Sequence, residues 1–287
     1  MTLRKSILAA LTLSAASIIG AIAEPIPDSV KIGGVAIGCQ AYSFHKFSAI
    51  EAVQKTAETG AKVIEFFPGQ RFSPEDKSQF GHMANDEQIN TIKELLKKHG
   101  IRAVNYGVVG IPNNEEGARK IFEFAKKMGL YAVTTESVGS VDLIEKLAKE
   151  YDIRVGFHNH PRQPKNPNYR VWDAKFILDL VKDRDQRLGA AADVGHWATD
   201  GFKAVDNLRL LQGRIVSVHM KDRSEIGKYV HDVPFGVGVV GIADIIDELK
   251  RQNFVGNLSI EYEYNWEKSV PEIAQCIGFV RGYGAKK

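Results

Sequence analysis

The sequence predicts a single (β/α)₈ barrel. Three observations predict it: eight short β-branched runs, amphipathic segments between them, and no glycine-rich phosphate turn after the first run. The alternation holds from about residue 35 onward, and eight strand–helix units over roughly 250 residues are the size of such a barrel. A doubly wound open sheet, the competing fold, favours GxGxxG after its first strand. Here that strand runs on as GCQAYSFHKF.

Strands are expected at VAIGCQAYS (35–43), AKVIEFF (61–67), IRAVNYG (101–107) and YAVTTES (131–137). The second half adds IRVGFHNH (153–160), RLGAAADVGH (187–196), RIVSVHMKD (214–222) and NLSIEYEYN (257–265). Between them, SAIEAVQKTAETG from Ser48 and NDEQINTIKELLKKHG from Asn85 set apolar residues three and four apart and end in glycine, a helix-stopping residue. GARKIFEFAKKMG, SVDLIEKLAKEY, GIADIIDELKRQNF and VPEIAQCIGFVRGYG repeat the design. No linker divides the chain. Segments 70–83 and 161–169 are the longest without helical pattern, and long loops after strands are where a barrel carries its site.

The 287 residues carry 38 basic and 35 acidic groups, a net charge of +3, which gives no field for nucleic acid. Only Cys39 and Cys276 are present, each in an apolar run. Two buried free thiols are expected, although export would permit a disulfide. Residues 1–23 read as a secretory signal: Arg4 and Lys5, an apolar stretch, then Ala21-Ile22-Ala23. Residues 24–287 are left as the barrel domain, with an uncleaved N-terminal anchor as the alternative. No other stretch is long and apolar enough to span a bilayer, so no stable membrane insertion is expected after cleavage. Export is expected, to the periplasm if the source is a diderm bacterium.

The strand ends carry the chemistry. They hold Glu136; His158 and His160; Asp193 and His196; His219, Lys221 and Asp222; and Glu261 and Glu263. A closed barrel brings these ends to one mouth. Isolated buried charges are costly, so they pair or bind a metal. Mixed oxygen and nitrogen donors suit Mn²⁺, Zn²⁺, Co²⁺ or Fe²⁺ better than Ca²⁺. Structural readings stand beside this one: Glu136 as a helix N-terminal carboxylate, one histidine satisfied in the core, and Lys221 with Asp222 as a surface ion pair. Tyr42, Phe44, Phe67, Tyr106, Trp197 and Trp266 are either faces for a sugar ring or core.

The ordered set GFHNHP, AADVGHW, SVHMKD and SIEYEY resembles the xylose isomerase-like TIM-barrel superfamily, over residues 35–283. That group holds sugar isomerases, ketose 3-epimerases, inosose dehydratases and apurinic endonucleases. The resemblance implies one divalent metal on Asp193, His219 and Glu261. The remaining ligand falls on His158, where the family usually has Glu, so His160 or Glu136 is an alternative for completing the shell. It also implies that His196, Lys221, Asp232 and Trp197 contact substrate, and that Glu136 or His160 acts as base or acid. The endonucleases use further histidines after strands two and three, and VIEFFPGQ and VNYGVVG have none. HMKDR offers only Asp222 for a second metal, so a single ion is expected.

The implied activity is a sugar isomerase or epimerase that abstracts a proton beside a carbonyl of a non-phosphorylated sugar or keto-sugar. The alternatives are a lyase or dehydratase that eliminates a β-substituent from a keto-sugar or keto-glycoside, and an exported sugar-binding protein with a vestigial site. The expected partner is a small-molecule sugar, with no nucleic acid; a homo-oligomer is a further option.

Overall fold

The computed structural model describes residues 25–285, and the eight predicted runs form one closed parallel barrel. Its strands are β1 (Ala36–Gln40), β2 (Val63–Phe66), β3 (Arg102–Tyr106), β4 (Ala132–Thr135), β5 (Arg154–His158), β6 (Leu188–Asp193), β7 (Ile215–Met220) and β8 (Asn257–Ile260). They pair in chain order, and β1 closes on β8 with Ala36 opposite Asn257 and Cys39 opposite Ile260.

The helices are α1 (Ala49–Glu58), α2 (Asp86–His99), α3 (Glu115–Met128), α4 (Val141–Tyr151), α5 (Ala174–Val181), α6 (Val194–Thr199), α7 (Ala204–Leu210), α8 (Ile242–Arg251) and α9 (Val270–Gly284). Local chemistry starts and stops them. Ser48 with Glu51 and Asn85 with Gln88 form reciprocal capping boxes, each cap worth about 1 kcal/mol. Gly100 ends α2 at φ 62°, the left-handed conformation that glycine takes without steric cost.

Every strand is shorter than the expected run; among them β5 stops at His158, β6 at Asp193 and β8 at Ile260. At β6 the reason is a cap: Asp193 Oδ1 accepts the His196 N–H at 2.8 Å, which starts α6. His196 therefore sits on a helix and not on the strand. Part of segment 70–83 folds as a small hairpin, Gln70–Arg71 against Gln79–Phe80, and a second pairs Asp222–Arg223 with Asp232–Val233 after β7.

Apolar side chains fill the layer between strands and helices. Ile26, Ala36, Val63, Val104 and Val216 form a separate cluster at the N-terminal ends of the strands. That plug leaves the polar inward positions at the opposite end. Gly156 lies two residues before His158 on the same face of β5. A Cβ there would stand 2.7 Å from the Ala191 Cβ, so only glycine lets β6 approach.

Cys39 and Cys276 are buried free thiols, as expected, and burial pushes them up to about 11 and about 12. The expected signal segment lies outside the described residues. Among the described residues no helix is long and apolar enough to cross a membrane.

Candidate metal centre

The C-terminal ends of β5, β6, β7 and β8 bring His158, Asp193, His219 and Glu261 together, one ligand atom from each within 4.8 Å of the others. His158 Nε2 is 3.7 Å and His219 Nδ1 3.8 Å from Asp193 Oδ2; His219 Nδ1 is 3.2 Å from Glu261 Oε2. All four residues are buried. His158 Nε2 has no hydrogen-bond partner, an expensive state for a buried polar atom, and Asp193 Oδ2 accepts no hydrogen bond and is paired only with the Lys221 ammonium at 3.2 Å. A divalent ion about 2.1 Å from each donor satisfies both atoms after a small contraction. The donor set therefore fits one metal of the zinc or manganese type.

The far side of each imidazole is held by a carboxylate. His219 Nε2 lies 3.1 Å from Glu65 Oε1, and Glu65 Oε2 accepts from Ser259 Oγ at 2.6 Å and Asn257 Nδ2 at 3.4 Å. His158 Nδ1 lies 3.2 Å from Glu136 Oε1. Such outer carboxylates fix ring orientation and leave the other nitrogen for the metal. Glu65 escaped the sequence reading. Its signal was a charged residue inside the apolar run AKVIEFF, where a buried carboxylate must have a partner.

Glu136 is a hub. The same Oε1 is bonded by His160 Nδ1 and accepts the Tyr169 hydroxyl at 3.0 Å. Burial favours its neutral form, but His158 and His160 outweigh burial and hold the carboxyl well below the usual range. Glu136 thus bridges two histidine rings, and His160 is about half exposed at the mouth.

Lys221, expected at substrate, is fully buried and no part of a surface pair. Its Nζ is 3.2 Å from Asp193 Oδ2, 2.8 Å from Glu261 Oε2, 2.6 Å from Glu263 Oε2 and 3.4 Å from His196 Nε2. Asp222 is buried too. It accepts backbone N–H groups of Gly236 at 2.9 Å and of Gly238 and Val240 at 3.1 Å, which holds the loop after β7.

The cluster is anionic. Glu65, Glu136, Asp193, Glu261 and Glu263 set five carboxylates against the single ammonium of Lys221. Without an ion the protein draws protons onto imidazoles. Burial opposes charge on His219, but Glu65 and Glu261 outweigh it and hold the ring well above its ordinary value. His158 is raised in the same way, against burial, by Asp193 and Glu136. His196 goes the other way: burial drives it well below the ordinary value.

Asp232 and Trp197, expected at substrate, are both buried. Asp232 Oδ2 accepts the Glu263 N–H at 2.6 Å, and Oδ1 lies 3.1 Å from Arg223 Nε without a hydrogen bond. Burial pushes its carboxyl up to about 7 against the pull of Lys221 and Arg223. Trp197 belongs to the packed core, its indole N–H donating to the Trp172 carbonyl at 3.0 Å. Phe44 and Tyr106 are core as well. Tyr42, Phe67 and Trp266 instead meet at the rim, with centroids 5.2 Å and 5.9 Å from Tyr42. A cavity of about 320 Å³ is lined by Tyr42, Phe67, His160, Glu261 and Glu263, among others.

A family model described as xylose isomerase-like TIM barrel matches residues 53–279. An uncharacterised protein of Parabacteroides distasonis is 30% identical, with a TM-score of 0.69 over 86% of this chain and 98% of its own. A D-tagatose 3-epimerase-like protein is 18% identical, with a TM-score of 0.68 over 87% of this chain and 97% of its own. AsbF of Bacillus anthracis, described as a probable 3-DHS dehydratase, is 16% identical, with a TM-score of 0.64 over 86% of this chain and 98% of its own. The uncharacterised protein MJ1311 of Methanocaldococcus jannaschii is 30% identical over 124 residues, and the match spans 41% of this chain and 40% of that relative.

Proposed function

The chain belongs to the xylose isomerase-like TIM-barrel family, and on that premise we propose that it is a divalent-metal-dependent isomerase or epimerase of a non-phosphorylated sugar or keto-sugar. The carrying observation is the convergence of four buried ligand atoms from four consecutive strand ends, with His158 Nε2 lacking any hydrogen bond. When bound, the ion supplies Lewis-acid polarisation of a substrate carbonyl and its neighbouring hydroxyl.

The chain's own residues do the rest. Asp193, Glu261, His158 and His219 hold the ion, and Glu65 and Glu136 orient the two rings. His160 is the base. Glu136 engages its Nδ1 and leaves Nε2 to take the proton from the carbon beside the carbonyl, the dyad logic of an oriented imidazole. Return of that proton to the adjacent carbon, with the neighbouring hydroxyl proton passing to the former carbonyl oxygen, is an isomerisation. Glu263 also lines the cavity, and a proton delivered from it to the face opposite His160 would invert the carbon, an epimerisation.

A second reading, a lyase or dehydratase acting on a keto-sugar or keto-glycoside, shares the proton abstraction. The aromatic rim beyond the cavity favours it, because a substituent on the ring has a surface to rest on. The signal-like residues 1–23 support action after export.

Elemental analysis of the mature protein beside Asp193→Ala tests the metal. About one equivalent per chain, lost in the variant, is expected; no metal after adding Mn²⁺, Co²⁺ or Zn²⁺ overturns the proposal. Exchange of α-protons of keto-sugars in D₂O tests the chemistry, and binding without exchange points to a sugar-binding protein.

A further inference from the structure

Resting on that function, we infer that the substrate is a neutral two-ring glycoside, with one sugar ring in the cavity and the second on the aromatic rim. The cavity, about 320 Å³, is at the small end of ligand sites of roughly 300–1,000 Å³ and fits one ring and little more. Its lining is mixed: Tyr42, Phe67 and Pro68 are apolar, and His160, Glu261 and Glu263 are polar. A pyranose offers matching chemistry: C–H groups on its faces and hydroxyls around the edge.

Charge selects against phosphate. Among the described residues no lysine or arginine lines this cavity. The nearest cations are spent: Lys221 on Asp193, Glu261 and Glu263, and Arg223 on Asp232 at 3.1 Å and Glu263 at 3.5 Å. Apart from the proposed ion, which the reacting sugar oxygens engage, a phosphate dianion beside Glu261 and Glu263 would find no counter-charge.

The apolar lining does not end at the cavity. Tyr42 is 37% exposed and stacks on His45 at 5.0 Å, and His45 meets Trp266 edge-on at 4.2 Å. These rings contact the Tyr42–Phe67 pair that lines the cavity, with Tyr42 exposed and His45, Phe67 and Trp266 half-buried. Partly exposed aromatic rings joined to a polar site mark a place for ligand. Trp266 follows Glu263 by three residues, so the segment after β8 supplies both polar lining and the rim.

The test uses the mature chain loaded with Mn²⁺ and reads binding by calorimetry, with turnover not required. Cellobiose and maltose are compared with glucose and with glucose 6-phosphate. At least one disaccharide is expected to bind about tenfold more tightly than glucose, and the phosphate more weakly. In Trp266→Ala the disaccharide-to-glucose ratio falls towards one, and Trp266→Phe restores part of it. Equal affinity for one and two rings, preference for the phosphate, no disaccharide binding, or an unchanged ratio in Trp266→Ala overturns the inference. Proton exchange on a keto-monosaccharide without any disaccharide preference would remove the second ring and leave the proposed reaction standing. Disaccharide binding without exchange would do the reverse.

Discussion

Glu65 and His219 form a buried pair across the barrel, with Oε1 3.1 Å from Nε2, and the contact decides which imidazole nitrogen faces the cluster. Glu65→Gln keeps an acceptor and removes the charge that makes the ring a strong ligand. Affinity for Mn²⁺ is expected to fall ten- to a hundredfold, about the usual cost of losing an outer carboxylate. Titration calorimetry on a variant with unaltered circular dichroism checks it; an unchanged constant would remove Glu65 from the site.

Asp193 has two jobs that substitutions can separate. Oδ2 faces the ligand cluster, and Oδ1 caps α6 through the His196 N–H at 2.8 Å. Asp193→Asn retains a capping oxygen and should lose the ion while melting near the wild-type temperature of metal-free protein. Asp193→Ala should lose the ion and about 1 kcal/mol more for the cap. Metal retained in the Asn variant would show that the carboxylate is not a ligand.

The fold was legible because barrel strands are short apolar runs with a fixed partner order, and all eight runs were visible. The four ligand positions were legible because a polar residue at the end of an apolar strand stands out. What was hidden depends on distance across the barrel. Glu65 reaches His219 from the opposite side of the sequence. Asp232 looked like a site carboxylate until Arg223 and the Glu263 amide were seen to occupy it. Trp197 carries no sequence signal for facing the core, since the turn of α6 alone sets its direction.

Lys221 and a divalent ion need the same oxygens, Asp193 Oδ2 and Glu261 Oε2, at 3.2 and 2.8 Å from Nζ. Lys221→Met leaves buried carboxylates unpaired in metal-free protein, at a cost of about 3–5 kcal/mol. It also removes the competing cation. Metal-free variant should melt well below wild type, and Mn²⁺ should close most of that gap, equivalent to binding tighter by about tenfold or more. Melting curves in EDTA and in Mn²⁺ measure both. Equal destabilisation in the two conditions would show that lysine and metal do not share ligands.

The histidines link metal to pH. Glu65 and Glu261 raise His219 in the folded protein above its unfolded value of about 6.5. The imidazolium's contribution is then fully present below about pH 6.5 and lost as pH rises through the folded value. His158 adds in the same direction. Metal-free protein should therefore lose stability from near-neutral pH upward. A metal needs the neutral rings, so the rise in melting temperature on adding Mn²⁺ should grow with pH. Melts at pH 6, 7, 8 and 9 decide; a rise independent of pH would mean that these imidazoles do not exchange protons for the ion.

His160 and Glu136 are bonded through one oxygen that His158 and Tyr169 also use, which makes their roles separable by two readouts. His160→Gln removes the proposed base and keeps all four proposed ligands, although the His160 ring lies 4.7 Å from that of His158. It should retain the metal and slow α-proton exchange by about 10²–10⁴, the usual worth of a positioned acid–base group. Glu136→Gln loosens two rings at once, so it should weaken metal binding through His158 and slow exchange through His160. Tyr169→Phe removes one donor to Glu136 and should have a smaller effect on both. Exchange in D₂O is followed by NMR on any keto-sugar that turns over, with metal content measured on the same samples. Full exchange activity in His160→Gln would pass the role of base to Glu263, and metal loss in His160→Gln would move His160 into the ligand set.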